Sequence, residues 1–169
     1  NQLFVQSAKR ARAEIQLTEQ DNPAVTEICS LVGGLPLGIE IAAAWTRSMD
    51  CESIRDEIQK NLDFLASTRR DMPERQRSLR AVFDHSWRRL SPLEQRTFAA
   101  LAIFRGSFHR RAAETITGVT PALLATLVDH SLLVYRHAGR YELHPVLQRY
   151  ANEQIEHAAR YPLQARHAA

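Results

Sequence analysis

The sequence predicts a mainly α-helical chain: a small helical bundle followed by a winged-helix domain with one β-hairpin. Three observations lead to that class. Apolar residues recur at helical spacing along most of the 169 residues. Proline and glycine interrupt the pattern where helices would start and stop. Late in the chain the period changes to the alternation of a hairpin, from Leu132 to His144.

Leu3, Phe4 and Ala8 open an amphipathic helix that begins without its cap. Asp21-Asn22-Pro23 reads as the next start, with Asn22 as N-cap and Pro23 at the first helical position. Val25, Ile28, Leu31 and Val32 then recur on one face. Gly33 and Gly34 suit a left-handed helix end, and Pro36 suits the first turn of the helix that follows. Leu37, Ile41, Ala44 and Trp45 form its stripe. Ile54, Ile58, Leu62 and Leu65 mark a fourth helix, entered from Asp50 or Ser53. These helices form a bundle domain over 1–68. Ser67 to Pro73 is polar and charged, and a linker helix over 69–90 carries Leu79, Val82, Phe83, Ser86, Trp87 and Leu90 along one face.

The winged-helix domain is expected over 91–160. Ser91-Pro92-Leu93-Glu94 is a capping box with proline at the first helical position. The helix it opens carries Phe98, Leu101 and Phe104, and stops near Gly106. Ala112 to Ile116 is a shorter helix ending at Gly118, and Thr120-Pro121 starts another with Leu123, Leu124, Leu127 and Val128. Leu132 to Arg136, a turn around Ala138-Gly139, and Arg140 to His144 form the hairpin; Pro145 opens a closing helix. Three helices, a hairpin and a final helix make the winged arrangement. Residues 161–169 read as a truncated tail.

Composition narrows the function classes. Hydrophobic residues make up 44% and charged residues 24%, an ordinary globular balance. No window approaches a membrane span, and no signal-peptide pattern opens the chain. Cys29 and Cys51 form no metal-binding array, which fits a reducing cytoplasm. His130, His137 and His144 lack metal-ligand spacing, so no metal is expected. The net charge is +3, with arginines concentrated between Arg69 and Arg111, where anions, nucleic acid or an acidic domain could be met. A solvated face or internal pairing is the favoured account of such arginines.

Three residues stand out as candidates. Leu35, Pro36 and Leu37 make a rigid apolar corner, either a packing device or a wall for a flat ligand such as adenine. Asp84-His85-Ser86 spells a triad, yet adjacent helix positions point apart and form no relay. The candidate recognition helix, Pro121 to His130, carries no arginine or lysine, so direct nucleic-acid binding is not expected. Trp45 and Trp87 fit core stripes.

Gly34-Leu35-Pro36-Leu37 resembles the GLPL motif of the NB-ARC and STAND nucleotide switches. Arg70 to Arg80 (RDMPERQRSLR), Phe83-Asp84-His85-Ser86-Trp87 and Leu90-Ser91-Pro92-Leu93-Glu94-Gln95 resemble the branch of bacterial MalT/AfsR/LuxR-like regulators. So do Phe104-Arg105-Gly106-Ser107-Phe108, Val128-Asp129-His130-Ser131-Leu132-Leu133 and Tyr141-Glu142-Leu143-His144-Pro145, all in the family's order.

The resemblance implies a division of parts. A P-loop domain comes first in such proteins, then the helical GLPL domain, then the winged helix, then a sensor such as helical repeats. This chain would hold the second and third parts, so its partners would be the P-loop domain and sensor repeats of the same protein, with a homo-oligomer on activation. It carries no GxxxxGK[ST], so this portion is not expected to be an enzyme or to hold a cofactor alone. The intact protein would bind ADP/ATP, with Mg held by the P-loop domain, as a slow ATPase. Pro36 would pack on the adenine between Leu35 and Leu37, and His144 would contact the β-phosphate of ADP. The motif's usual Asp is Pro145 here, so any hydrogen bond from that Asp is lost. The expected function is the regulatory part of an ADP/ATP switch controlling oligomerisation or transcription. The alternatives are a DNA-binding winged-helix regulator and a plain protein-interaction module.

Overall fold

The computed structural model describes the backbone of residues 1–166 and the side chains of residues 1–157. The chain divides into two compact units, Asn1–Arg89 and Leu90–Ala169.

The first unit is all helix: α1 (Gln2–Ala11), α2 (Asn22–Leu31), α3 (Pro36–Ala44), α4 (Cys51–Thr68) and α5 (Glu74–Arg89). Single 3-10 turns lie at Glu19–Asp21 and Trp45–Arg47. α3 buries Gly38, Ile39 and Ile41 to Ala44, on more than one face, because its short alanines admit neighbours from several sides. Phe4, Ile28, Ile41, Ile54, Ile58 and Phe83 fill the core. The N-cap of α2 is Asp21 rather than Asn22. The 3-10 turn ahead of it, closed by reciprocal bonds between Thr18 and Asp21, pulls Asn22 into helical conformation. Asp50 is the N-cap of α4 and accepts from the Ser53 amide at 2.8 Å. α5, expected as a linker, lies within the first unit, where Ser78, Ala81, Val82, Phe83, His85 and Ser86 are buried.

The second unit holds α6 (Pro92–Leu101), β1 (Ser107–His109), α7 (Arg110–Thr117), α8 (Pro121–Asp129), β2 (Val134–Arg136), β3 (Arg140–Glu142) and α9 (Pro145–Arg166). Its sheet is antiparallel in the order β1-β3-β2, so the hairpin is joined by a strand that the sequence pattern did not reveal. The hairpin strands are shorter than the alternation suggested. Ser131 adopts φ 56°, and Leu132 and Leu133 turn into the core beside Phe98, Leu101, Leu124 and Leu127 instead of joining β2. The Ser91–Glu94 capping box forms in full, and Thr120 caps α8. Gly118 ends α7 in the left-handed region at φ 69°. α9 runs to Arg166, through most of the segment expected as a tail; residues 167–169 lie outside the described residues. Among the described residues no helix is long and apolar enough to cross a membrane.

Candidate functional site

The corner begins where α2 stops. Gly33 and Gly34 both take positive φ, 67° and 65°, a conformation that costs a side-chain-bearing residue dearly. Their amides bond back to Ser30 O at 2.8 Å and Cys29 O at 2.9 Å, which closes the helix end. Leu35 then turns to extended backbone at φ −73°, ψ 123° and acts as N-cap, its carbonyl accepting from the Ile39 amide at 3.0 Å. Pro36 occupies the first helical position, where its absent N–H loses nothing. Its ring is exposed rather than packed in the core, while Leu35 and Leu37 are half-buried on either side. The structure therefore brings these residues together on one turn as a rigid apolar edge facing solvent in its own unit.

One supporting residue escaped sequence reasoning. A Cβ on Gly38 would stand 3.0 Å from Val32 Cβ and 3.5 Å from Leu79 Cδ2. The missing side chain lets α3 approach both the end of α2 and α5, and this fixes the corner's angle. Gly38 opens an apolar run, and a glycine inside such a run was the only available signal.

The Asp84-His85-Ser86 stretch serves the same scaffold and makes no relay. Trp45 Nε1–H donates to Ser86 Oγ at 2.9 Å. The His85 ring lies 4.0 Å from the Trp45 ring, centroid to centroid, and its Nδ1–H donates to Glu57 Oε1 at 3.2 Å. Its Nε2 is buried without a hydrogen-bond partner among the described residues. Asp84 accepts instead from Arg80 Nε at 2.9 Å. Burial lowers the imidazole's pKa below its ordinary value, outweighing the upward pull of Glu57. Trp45 is buried as its stripe predicted, and Trp87 is half-buried.

His144 belongs to the second unit. It sits at the start of a helix, not at the end of a strand, because β3 stops at Glu142. Its carbonyl accepts from the Gln148 amide at 2.9 Å, and its ring Nδ1 accepts from the Val146 amide at 3.2 Å. The imidazole thus caps α9 behind Pro145, in the place where serine or aspartate is common. An accepting Nδ1 puts the ring proton on Nε2, so an exposed donor faces outward. Gln148 steadies the position through Nε2 bonds to Ala102 O at 2.6 Å and Phe104 O at 2.7 Å. Leu143 and Leu147 are buried on either side of the cap.

A cleft of about 570 Å³ lies elsewhere on the first unit, between the α1–α2 loop and the start of α4, with Arg12, Asp21, Arg47 and Asp50 among its walls. Among the described residues no cluster of His, Cys, Asp and Glu could hold a metal ion.

The chain is similar in sequence to several bacterial proteins, some of them named as regulators. It is 34% identical over 176 residues to "Putative HTH-type transcriptional regulator Rv0890c" of Mycobacterium tuberculosis, a match covering 98% of this chain and 20% of that protein. It is 28% identical over 165 residues to "Uncharacterized protein Rv0894" of the same species, covering 91% of this chain and 42% of that protein. It is 30% identical over 152 residues to "Regulatory protein AfsR" of Streptomyces coelicolor, covering 83% of this chain and 14% of that protein. The chain spans about a fifth of the length of the first of these. No family model matches it, and no solved structure matches it.

Proposed function

We propose that this chain is the helical and winged-helix portion of an ADP/ATP-dependent switch of the STAND type, controlling the output of a bacterial transcriptional regulator. The observation that carries the reading is the exposed apolar edge of Leu35, Pro36 and Leu37. Two left-handed glycines and the close approach at Gly38 hold it rigid, while the ring at its tip takes no part in the core of its own unit. A rigid, flat, solvent-facing apolar edge suits the face of a purine. Relatives named as regulators support the setting.

His144 would supply the polar contact. Its Nδ1 is engaged in capping α9, so its orientation is set before any ligand arrives and its Nε2–H is the donor left for a phosphate oxygen. The cap also replaces the constraint lost with the motif's Asp, since Pro145 and the Val146 amide now hold the ring. The nucleotide, when bound, would supply the difference in charge between di- and triphosphate that biases one arrangement over another. Phosphate cradling, Mg binding and any hydrolysis fall to a P-loop domain elsewhere in the intact protein, and we place the protein in the cytoplasm.

Release of a fluorescent ADP from the full-length protein tests this. His144→Ala should speed release about ten- to a hundredfold, because a hydrogen bond to a charged group is worth ~1.5–3 kcal/mol. Release at the wild-type rate would remove His144 from the switch.

The printed names of the relatives favour one other reading, a winged helix that reads DNA sequence. The chemistry of α8 speaks against it: Pro121 to Asp129 carries no Arg, Lys, Asn or Gln with which to address base edges.

A further inference from the structure

The three-stranded sheet of the second unit has two unlike faces. Its register sets Phe108 opposite Tyr141 and Tyr141 opposite Tyr135; Phe108 stacks on Tyr141 at a centroid distance of 6.2 Å, and Tyr135 meets Tyr141 edge-on at 5.3 Å. By the alternation of strand side chains, His109, Arg140 and Arg136 form a single row on the other face. All three are exposed. The row crosses two interstrand spacings, roughly 10 Å. His137 follows in the hairpin turn, and Arg110 and Arg111 continue from His109 into α7.

The charges on this surface are incompletely matched. Arg136 pairs with Glu142 at 2.9 Å and Arg110 with Glu114 at 3.4 Å. Among the described residues the Arg140 guanidinium bonds neutral acceptors, Ser107 Oγ at 3.1 and 2.9 Å and Ser107 O at 2.8 Å. Arg111 has no side-chain partner among the described residues. Arg136 and Arg140 also stand directly opposite one another, an unfavourable arrangement for like charges on a sheet. A surface that keeps such a pair exposed is suited to an anion.

We propose that this sheet face and the start of α7 form a contact surface for the phosphodiester backbone of duplex DNA, bound without regard to base sequence. Guanidinium groups suit phosphate oxygens, which they can engage through two parallel bonds. A polypeptide partner would need an apolar centre to its interface, and the only apolar side chain in the strand positions of this face is Val134. Protein–DNA interfaces are more polar and more positive than that. With no base-reading side chain on α8, the contact is to backbone alone. This surface is independent of the nucleotide switch proposed above.

The test is fluorescence anisotropy of a short mixed-sequence duplex with this chain, free of nucleotide, between about 50 and 200 mM salt. The wild type should bind more weakly as salt rises, with log Kd linear in log salt. Arg111→Ala and Arg140→Ala should each flatten that slope by about one. Arg70→Ala and Arg75→Ala, in the basic stretch of the first unit, should leave it unchanged. The Arg111 side chain has no hydrogen bond or ion pair among the described residues, so its variant separates loss of binding from loss of fold. The proposal is overturned by wild-type slopes in both sheet-face variants, by no duplex binding at the lowest salt, or by a polyglutamate peptide competing as well as the duplex.

Discussion

At the scale of single residues, the buried imidazole of His85 couples stability to pH. Burial holds its pKa below the ordinary value of 6.5, against the opposing pull of Glu57. The neutral ring is therefore the form the fold prefers. Its contribution is complete above pH 6.5; as pH falls through 6.5 toward the folded value, the unfolded chain takes up a proton that the folded chain resists, and stability is lost. Asp84 runs the other way. Burial raises its carboxyl above 3.8 despite Arg80, so its effect favours the fold in acid and disappears as pH rises through the folded value. Urea midpoints measured from pH 8 to pH 5 should decline for the wild type. His85→Gln keeps a donor for Glu57 and removes the titration, so its decline should be shallower; parallel curves would contradict the assignment. The role of His85 was legible in the sequence only as a negative, since adjacent helix positions exclude a relay. Its partner Glu57 lies 28 positions away, and nothing in local spacing connects the two.

At the scale of elements, helix ends were the most legible feature. Thr120 at α8 and Ser91 with Glu94 at α6 act through bonds that span three residues, and Pro36 at α3 acts through its own fixed φ, so the sequence carries the whole interaction. Asn22 was displaced by one position because an unanticipated 3-10 turn absorbed the residues before it. β1 is three residues long and pairs with Arg140 to Glu142, so its strand character comes from a partner far along the chain. Gly38 belongs here too, since its importance lies in the distance between helices. Gly38→Ala should destabilise the chain by about 1–3 kcal/mol, since overpacking against Val32 outweighs the helix propensity that alanine gains. Chemical denaturation measures this, and a stabilised variant would show that α3 can move away at no cost.

At the scale of the whole molecule, two compact units each bury their own apolar core, around Ile28, Ile41, Ile54 and Phe83 in one and Phe98, Leu101, Leu124 and Leu127 in the other. Residues 1–89 and 90–169 should therefore each fold when produced separately, with helical circular dichroism and a cooperative melt; a half that stays unstructured would show that its core is insufficient. The division falls just after α5, not before it, because Ala81, Val82 and Phe83 are fully buried within the first unit. A helix with a clear apolar stripe announces that it must pack, but the stripe does not name its neighbour. The sequence by itself determined the helices, their caps, the left-handed glycines and the hairpin turn, all of which depend on forces acting within a few residues. Only the tertiary structure decided that Pro36 faces solvent and that His109 joins Arg140 and Arg136 in one row. Those outcomes depend on which distant surfaces exclude water together, and burial is a property of the assembled fold rather than of any stretch of chain.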